Sequence, residues 1–403
     1  MKKELFHNPA AALRSGYTTG ACATAAAKGA ALMLAHQMTV REVTIELPAG
    51  VSATFQLSGQ NYSTNAASCF VVKDAGDDPD VTNGAEIHAT ILRDRDPLSV
   101  EGSILISGGK GVGKVTKPGL AVSPGEWAIN PVPRRMIEEA VACSVFPAPD
   151  SRTRKPDTFH VTISIPDGEE RSKRTLNARL GIIGGLSILG TTGIVRPVSA
   201  KAWTDTIDAA LDVAKACGCR TVVLSTGRTS ELAAQNFLRR QSVGAQCTAS
   251  LFEPSPSRSP NLSVTPAVSE DYPEEAFVMM GDHIAYALRA CQERGYRQPI
   301  ITCQFAKLLK IACGHGNTHA AASELDLGQL LKWGQDGGLS DLTLAAISNA
   351  NTAREIAIAS SFDPALLELV FQYARSAVCR HAPDIHTHFL IADYSGNCIF
   401  DSR

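Results

Sequence analysis

The sequence predicts an α+β N-terminal half followed by an α/β half with a mainly parallel sheet, and three observations carry that reading. Up to about Pro197 strand-like and helix-like stretches mix without a βαβ rhythm. Beyond it, short apolar runs alternate with amphipathic helical stretches, the pattern of parallel strands with right-handed crossovers. The chain has 403 residues, enough for two separate cores. The expected domains are residues 1–198 and 199–380, with 381–403 a C-terminal strand segment of unassigned membership.

Taken in order, residues 14–28 (RSGYTTGACATAAAK) read as a turn that opens a helix running to about His36. REVTIELPAG and VSATFQLSG (41–59) form two strands around a Pro-Ala-Gly turn. Residues 68–94 alternate again, broken by an acidic turn. SILISGGKGVGKVTKPGL (103–120) gives a strand and a glycine-rich loop. Residues 130–146 form a helix with Pro131 and Pro133 at its entry, and FHVTISIPDG (159–168) is a further strand. In the second half TVVLSTG (221–227), AFVMMG (276–281) and QPIITC (298–303) are strands, each followed by a helix. HTHFLIADYSGNCIF (386–400) returns to strand. EPSPSRSPNLSVTP (253–266) reads as an exposed loop.

Composition narrows the class. Hydrophobic residues make up 44% and charged residues 19%, a globular balance. A formal charge of −2 gives no field for a polyanion, so no nucleic-acid partner is expected. The 11 cysteines are scattered, and Cys217-Gly-Cys219 is not at zinc spacing, so reduced thiols fit best. The N-terminus carries no apolar run long enough for a signal peptide, and nowhere do about 18 apolar residues follow one another. A cytoplasmic protein without a membrane partner is expected.

Several segments suggest binding chemistry, each with a plainer rival. The Tyr17-Thr18-Thr19-Gly20 turn beside Arg14 suits a carboxylate or phosphate at a helix N-terminus; the rival is an ordinary cap. Gly108 to Val115 nearly matches a P-loop, yet Val115 has no hydroxyl for magnesium and the sequel is not helical. What remains is a glycine-rich anion loop with Lys110, Lys114 and Lys117, or a hairpin with solvated lysines. The block NARLGIIGGLSILGTTGIV (177–195) holds glycine at a density that implies backbone against backbone, a flat ligand, or a hinge. The strand tips Thr226-Gly227-Arg228, Gly281-Asp282-His283 and Thr302-Cys303-Gln304 lie where a parallel sheet binds ligands, and Asp282 has the chemistry to accept ribose hydroxyls. Gly314 to His319 follows a helix and is read as opening another. Its His315 and His319 lack a third ligand, so no protein-bound metal is expected.

Together, LRSGYTTGACATAAAK, SGGKGVGKVTKPGL, INPVPRRMI, NARLGIIGGLSILGTTGIVRP and KLLKIACGHGNTHA resemble, in order, the CbiD family, the C(1)-methyltransferases of cobalt-precorrin-5B in anaerobic-type cobalamin biosynthesis. The resemblance implies methyl transfer from S-adenosylmethionine to C-1 of a cobalt-containing corrin ring. It also implies an α+β N-terminal domain with a corrinoid cleft and a smaller Rossmann-like α/β domain with the S-adenosylmethionine site. On that footing the expected substrate-binding residues are Arg14, Tyr17, Thr18, Thr19, Lys110, Lys117, Arg134, Arg179, Thr191 and Thr192, with Arg135 beside them. Thr18 and Thr19 are expected to present hydroxyl and N–H donors to ring carboxylates. The donor site is expected at Thr226, Gly227, Arg228, Gly281 and Asp282, with Gly184 and Gly185 the other option. His315 and His319 are the candidate bases. Homo-oligomerisation and transfer contacts with other pathway enzymes are further expectations. Trp127, GDHIAYAL and TCQFAKLLK depart from the family's usual runs. Two alternatives stay open: a non-catalytic corrinoid carrier, and a phosphotransferase using Gly108 to Lys114.

Overall fold

The computed structural model describes residues 13–94, 103–146, 157–197, 199–249 and 272–403. The Pro/Ser-rich 253–266 stretch and the first twelve residues lie outside the described residues. The chain divides into two compact units, Met1–Ser199 and Ala200–Arg403, of nearly equal length, so the second is not the smaller one.

In the first unit the short strand β1 (Gly16–Tyr17) turns directly into helix α1 (Thr19–His36). Thr18 caps it, its Oγ1 accepting from the Ala21 N–H at 3.2 Å. The alanines of α1 from Ala21 to Ala31 are buried on every side, as expected of a core helix rather than a surface one. Their small side chains let neighbours close in. A Cβ on Gly20 would lie 2.6 Å from Cγ of Pro133 in α2 (Pro131–Val145). Strands β2 (Glu42–Leu47) and β3 (Val51–Gln56) form the expected antiparallel hairpin. The main sheet runs β4 (Ser58–Tyr62), β5 (Ala66–Val72), β6 (Glu86–Asp94), β10 (Thr158–Ser164), β7 (Ile104–Gly108), antiparallel except for the β10–β7 pair. Alternate residues such as Cys69, Val71, Ile87, Ala89 and Ile91 face α1 in one core.

The glycine-rich segments form three small ribbons. β8 (Gly111–Val112) runs parallel to β12 (Gly185–Leu186), and β9 (Lys114–Val115) antiparallel to β11 (Ile182–Ile183). β1 pairs antiparallel with β13 (Ile194–Val195). The one-and-a-half-turn helix α3 (Gly168–Ser172) lies against this knot. Gly111, at φ 74, is where the strands cross: a Cβ there would sit 1.8 Å from the Ile165 carbonyl oxygen. Within the block 177–195 backbone lies against backbone at Gly185, where a Cβ would sit 2.2 Å from the Gly111 carbonyl oxygen, whereas Gly181, Gly190 and Gly193 abut the side chains of Lys117, Thr18 and Leu47 and Gly184 faces open space.

The second unit is built on a five-stranded sheet in the order β15 (Phe277–Met279), β14 (Val223–Ser225), β16 (Ile300–Gln304), β17 (His388–Ala392), β18 (Cys398–Asp401). The first four strands are parallel, and β18 is antiparallel. Helix α5 (Arg228–Ala249) follows β14 and packs on the face formed by Val223, Ile300 and Leu390. The other face buries Leu224, Val278, Ile301 and Phe389 with helices α4 (Ala200–Ala216), α6 (Ile284–Glu293), α7 (Phe305–Ala312) and α11 (Pro364–His381). Between α7 and α11 stand α8 (Leu327–Asp336), α9 (Asp341–Asn349) and α10 (Ala353–Ala359). The strand order reverses between β14 and β16, so the crevice of this sheet lies between their carboxyl ends. One local expectation is corrected: residues 314–319 open no helix but begin a loop that runs on to α8. Gly314 is at φ 91, and Gly316 is pressed between Ala285 and the His381 ring.

Candidate functional site

In the first unit the named motifs meet, but their polar groups are largely engaged with one another. Thr18 and Thr19 are 6% and 3% exposed. The Thr18 N–H donates to the Gly193 carbonyl at 3.0 Å, and the Gly20 N–H to the Leu189 carbonyl at 3.0 Å. The Thr19 hydroxyl accepts from the Leu189 N–H at 3.0 Å and lies 3.2 Å from the Ser187 carbonyl. The expectation that these threonines present donors outward is therefore corrected: burial and a chain segment some 170 residues further on take up those groups. Arg14 is exposed and clasps Asp74 with both terminal nitrogens, and this hydrogen bonding raises the guanidinium pKa further. The Tyr17 ring packs on Phe55 at 4.7 Å.

The anion-loop expectation meets the same obstacle. N–H groups of Gly109, Val112, Gly113 and Val115 all donate to backbone carbonyls, and β9 stands where a P-loop needs a helix. Around this loop the cations spread outward instead. Lys110 and Lys114 are exposed, the latter 4.6 Å above the Trp127 ring. Lys117 Nζ donates to the Arg179 carbonyl at 3.2 Å, its stem resting on Gly181. Arg134 donates to the Ile106 carbonyl at 3.2 Å, and Arg135 is exposed. Beside them Ile183 is 51% exposed, and a Cβ on Gly184, at φ 85, would meet nothing within 4 Å. Thr191 and Thr192 are exposed, with Thr192 turned back on the Ile194 N–H at 3.3 Å.

In the second unit the β14 and β16 tips are tied directly. The Thr226 N–H donates to the Thr302 carbonyl at 3.1 Å, and the Thr302 hydroxyl to the Ser230 carbonyl at 2.9 Å. Gly227 faces open space, with nothing within 4 Å of a Cβ. Arg228 folds back onto Glu231, a fully buried carboxylate that also accepts from Ser225 at 3.3 Å. Gly281 adopts φ 58 and donates to the Ser225 carbonyl at 3.2 Å. Asp282 follows it and is half-buried. Its Oδ1 accepts from Lys307 and, at 2.7 Å, from the Thr318 hydroxyl. Burial alone would raise its pKa, but these two hydrogen bonds, together with the charges of Lys307 and His319, outweigh burial and hold it below the ordinary 3.8.

That network draws in residues the sequence reasoning passed over. Lys307 and Lys310 donate to the Thr318 carbonyl at 3.0 and 3.1 Å. The signal was present in FAKLLKIA, a helix apolar but for two lysines three apart, placed directly after a strand tip. His315 is half-buried in the loop, and His319 is exposed with Nδ1 accepting from the Ala321 N–H at 3.2 Å. No cluster fit to hold a metal occurs among the described residues. Cys303 at the β16 tip is buried, which pushes its thiol up to about 12, so it is no thiolate nucleophile. Among the described residues no helix is long and apolar enough to cross a membrane.

Comparison with known proteins adds the following. The CbiD family model matches residues 7–197. A protein of Pelobacter propionicus named cobalt-precorrin-5B C(1)-methyltransferase is 59% identical over 97% of this chain and 96% of its own. Its counterpart of the same name in Geobacter metallireducens is 54% identical over 96% and 98%. A crystal structure titled cobalamin biosynthesis protein (cbiD) from Archaeoglobus fulgidus aligns at 28% identity and a TM-score of 0.35, over 73% of this chain and 78% of that one.

Proposed function

The chain belongs to the CbiD family, and from that premise we propose that it transfers the methyl group of S-adenosylmethionine to C-1 of the corrin ring of cobalt-precorrin-5B, giving cobalt-precorrin-6A. The observation that carries this reading is the near-full-length identity to curated relatives of that name.

The donor, when bound, supplies a methyl group on a positively charged sulfur. The protein's task is then to hold acceptor and donor in line, which can lower the barrier by roughly 7–11 kcal/mol relative to a chance encounter. No nucleophilic side chain is required, and the high thiol pKa of Cys303 agrees with that. We assign the donor to the Rossmann-like sheet edge of the second unit. The open Gly227 turn at the β14–β16 crevice leaves room for a ligand against the backbone. Asp282, kept ionised by Lys307 and Thr318, suits ribose hydroxyls. Thr226, Arg228 and Gly281 frame that edge, and His315 on the adjoining loop is the better-placed of the two candidate bases because it is the less exposed.

The corrinoid we assign to the first unit. Its exposed Ile183–Gly184 edge, paired with Lys114, offers a flat apolar contact, and Lys110, Lys117, Arg134, Arg135 and Arg179 are the further cations of this unit that we assign to ring carboxylates. Thr18 and Thr19 act there as framework. The test is transfer of labelled methyl from S-adenosylmethionine to cobalt-precorrin-5B. Label at C-1 is the expected result. Corrinoid binding without label would leave a carrier, and tight binding of ATP–magnesium alone would sink the methyltransferase reading.

A further inference from the structure

We propose that Lys307 and Lys310 form a carboxylate-binding site at the carboxyl edge of the second unit's sheet. The ligand class rests on the methyltransferase reading, because both its substrates carry carboxylates and neither carries phosphate.

Two ammonium groups converge here on a single carbonyl, that of Thr318, at 3.0 and 3.1 Å. Among the described residues one carboxylate faces them, Asp282, and its Oδ1 already serves Lys307 and the Thr318 hydroxyl. Local charge is thus two positive against one negative. Lys307 is half-exposed, its side chain 30% accessible, and satisfies two of its three donor hydrogens. Lys310 is 7% exposed, and the Thr318 carbonyl is its single hydrogen-bond acceptor among the described residues. A largely buried lysine that the described residues supply with one acceptor, and that has a second ammonium beside it, is left short of compensating negative charge. Desolvation, and then repulsion from Lys307, depress the Lys310 pKa. An incoming carboxylate would accept from both lysines and restore neutrality. The position suits it, since α7 rises directly from β16 beside the crevice. The carboxylate comes either from the amino-acid end of the donor or from a ring side chain of the corrinoid.

Calorimetry on the full chain separates these sources. The probes are S-adenosylhomocysteine, its decarboxylated analogue and cobalt-precorrin-5B, titrated into wild type, K310M and K310R. A donor carboxylate predicts that K310M loses about tenfold to a hundredfold in affinity for S-adenosylhomocysteine. The decarboxylated analogue would then bind both forms alike, and K310R would recover most of the loss. A ring carboxylate predicts the same loss for the corrinoid, with S-adenosylhomocysteine unaffected. Unchanged affinities for all three probes overturn the site. An equal loss for S-adenosylhomocysteine and its decarboxylated analogue, with the corrinoid unaffected, also overturns it, because that marks a loop support and nothing more. If K310M fails to fold, K307M at the more exposed member takes its place. Wild type that binds no probe sinks the methyltransferase reading itself, whereas wild type that binds while K310M binds equally well sinks the lysine site alone.

Discussion

In the first unit the most conspicuous residues of the sequence direct their polar groups to the backbone, whereas at the sheet edge of the second two lysines gather around one carboxylate and one backbone carbonyl. The Thr18 amide, the Thr19 hydroxyl and the amides of Gly109, Val112, Gly113 and Val115 end on protein carbonyls. Asp282, Lys307, Lys310 and Thr318 instead form a half-buried cluster with an excess of positive charge. The difference teaches that motif density marks two separate things. Where glycines crowd, the chain solves a packing problem and leaves binding to the rim. Where a parallel sheet ends, charge is held ready at a crevice.

Substitutions at five positions sharpen or break this contrast, Gly111→Ala with the largest expected effect and Arg14→Met with the smallest. Gly111→Ala would drive a methyl into the Ile165 carbonyl and is expected to destabilise by about 4 kcal/mol or more, read by urea unfolding. Gly184→Ala, in open space at φ 85, is expected to cost only about 1–2 kcal/mol. Equal costs at the two glycines would break the packing account. Thr19→Val removes a buried acceptor from the Leu189 N–H and is expected to cost about 1–3 kcal/mol, with Thr19→Ser recovering most of it.

Asp282→Asn acts through pH. The folded pKa lies below 3.8, so the carboxylate adds stability above about pH 4 that is lost as pH falls through the folded value. Thermal unfolding of the variant should therefore show a shallower acid-side decline than wild type; an identical decline would detach Asp282 from its cluster. Smallest of all, Arg14→Met is expected to leave the unfolding midpoint unchanged, because its pair with Asp74 is exposed. A clear drop would mean that the opening turn depends on that pair.

Much of the framework was legible from residue pattern. The α1 cap and helix follow from a threonine ahead of an alanine-rich run, and the β2–β3 hairpin and the strand–helix alternation of the second unit from periods of 2 and 3.6 that a reader can count. The ribbon strands β8, β9, β11, β12 and β13 were not, since strands of two residues have no period. The use made of Thr19 was hidden because its partner lies 170 residues away. The lysine pair on α7 escaped notice for a related reason: its meaning depends on a loop that returns Thr318 to the Asp282 tip, and Gly314 and Gly316 shape that loop through tertiary contacts. Asp282 itself was reached by topology, from the rule that ligands meet the carboxyl ends of parallel strands.

The central claim is that the methyl donor binds at the sheet edge of the second unit and not in the glycine knot of the first. Hydrogen–deuterium exchange of the full chain with and without S-adenosylhomocysteine tests it directly. Added protection in peptides covering 225–231, 281–283 and 313–319, with none at 181–186, is the result this account predicts. Protection confined to 181–186 would contradict it.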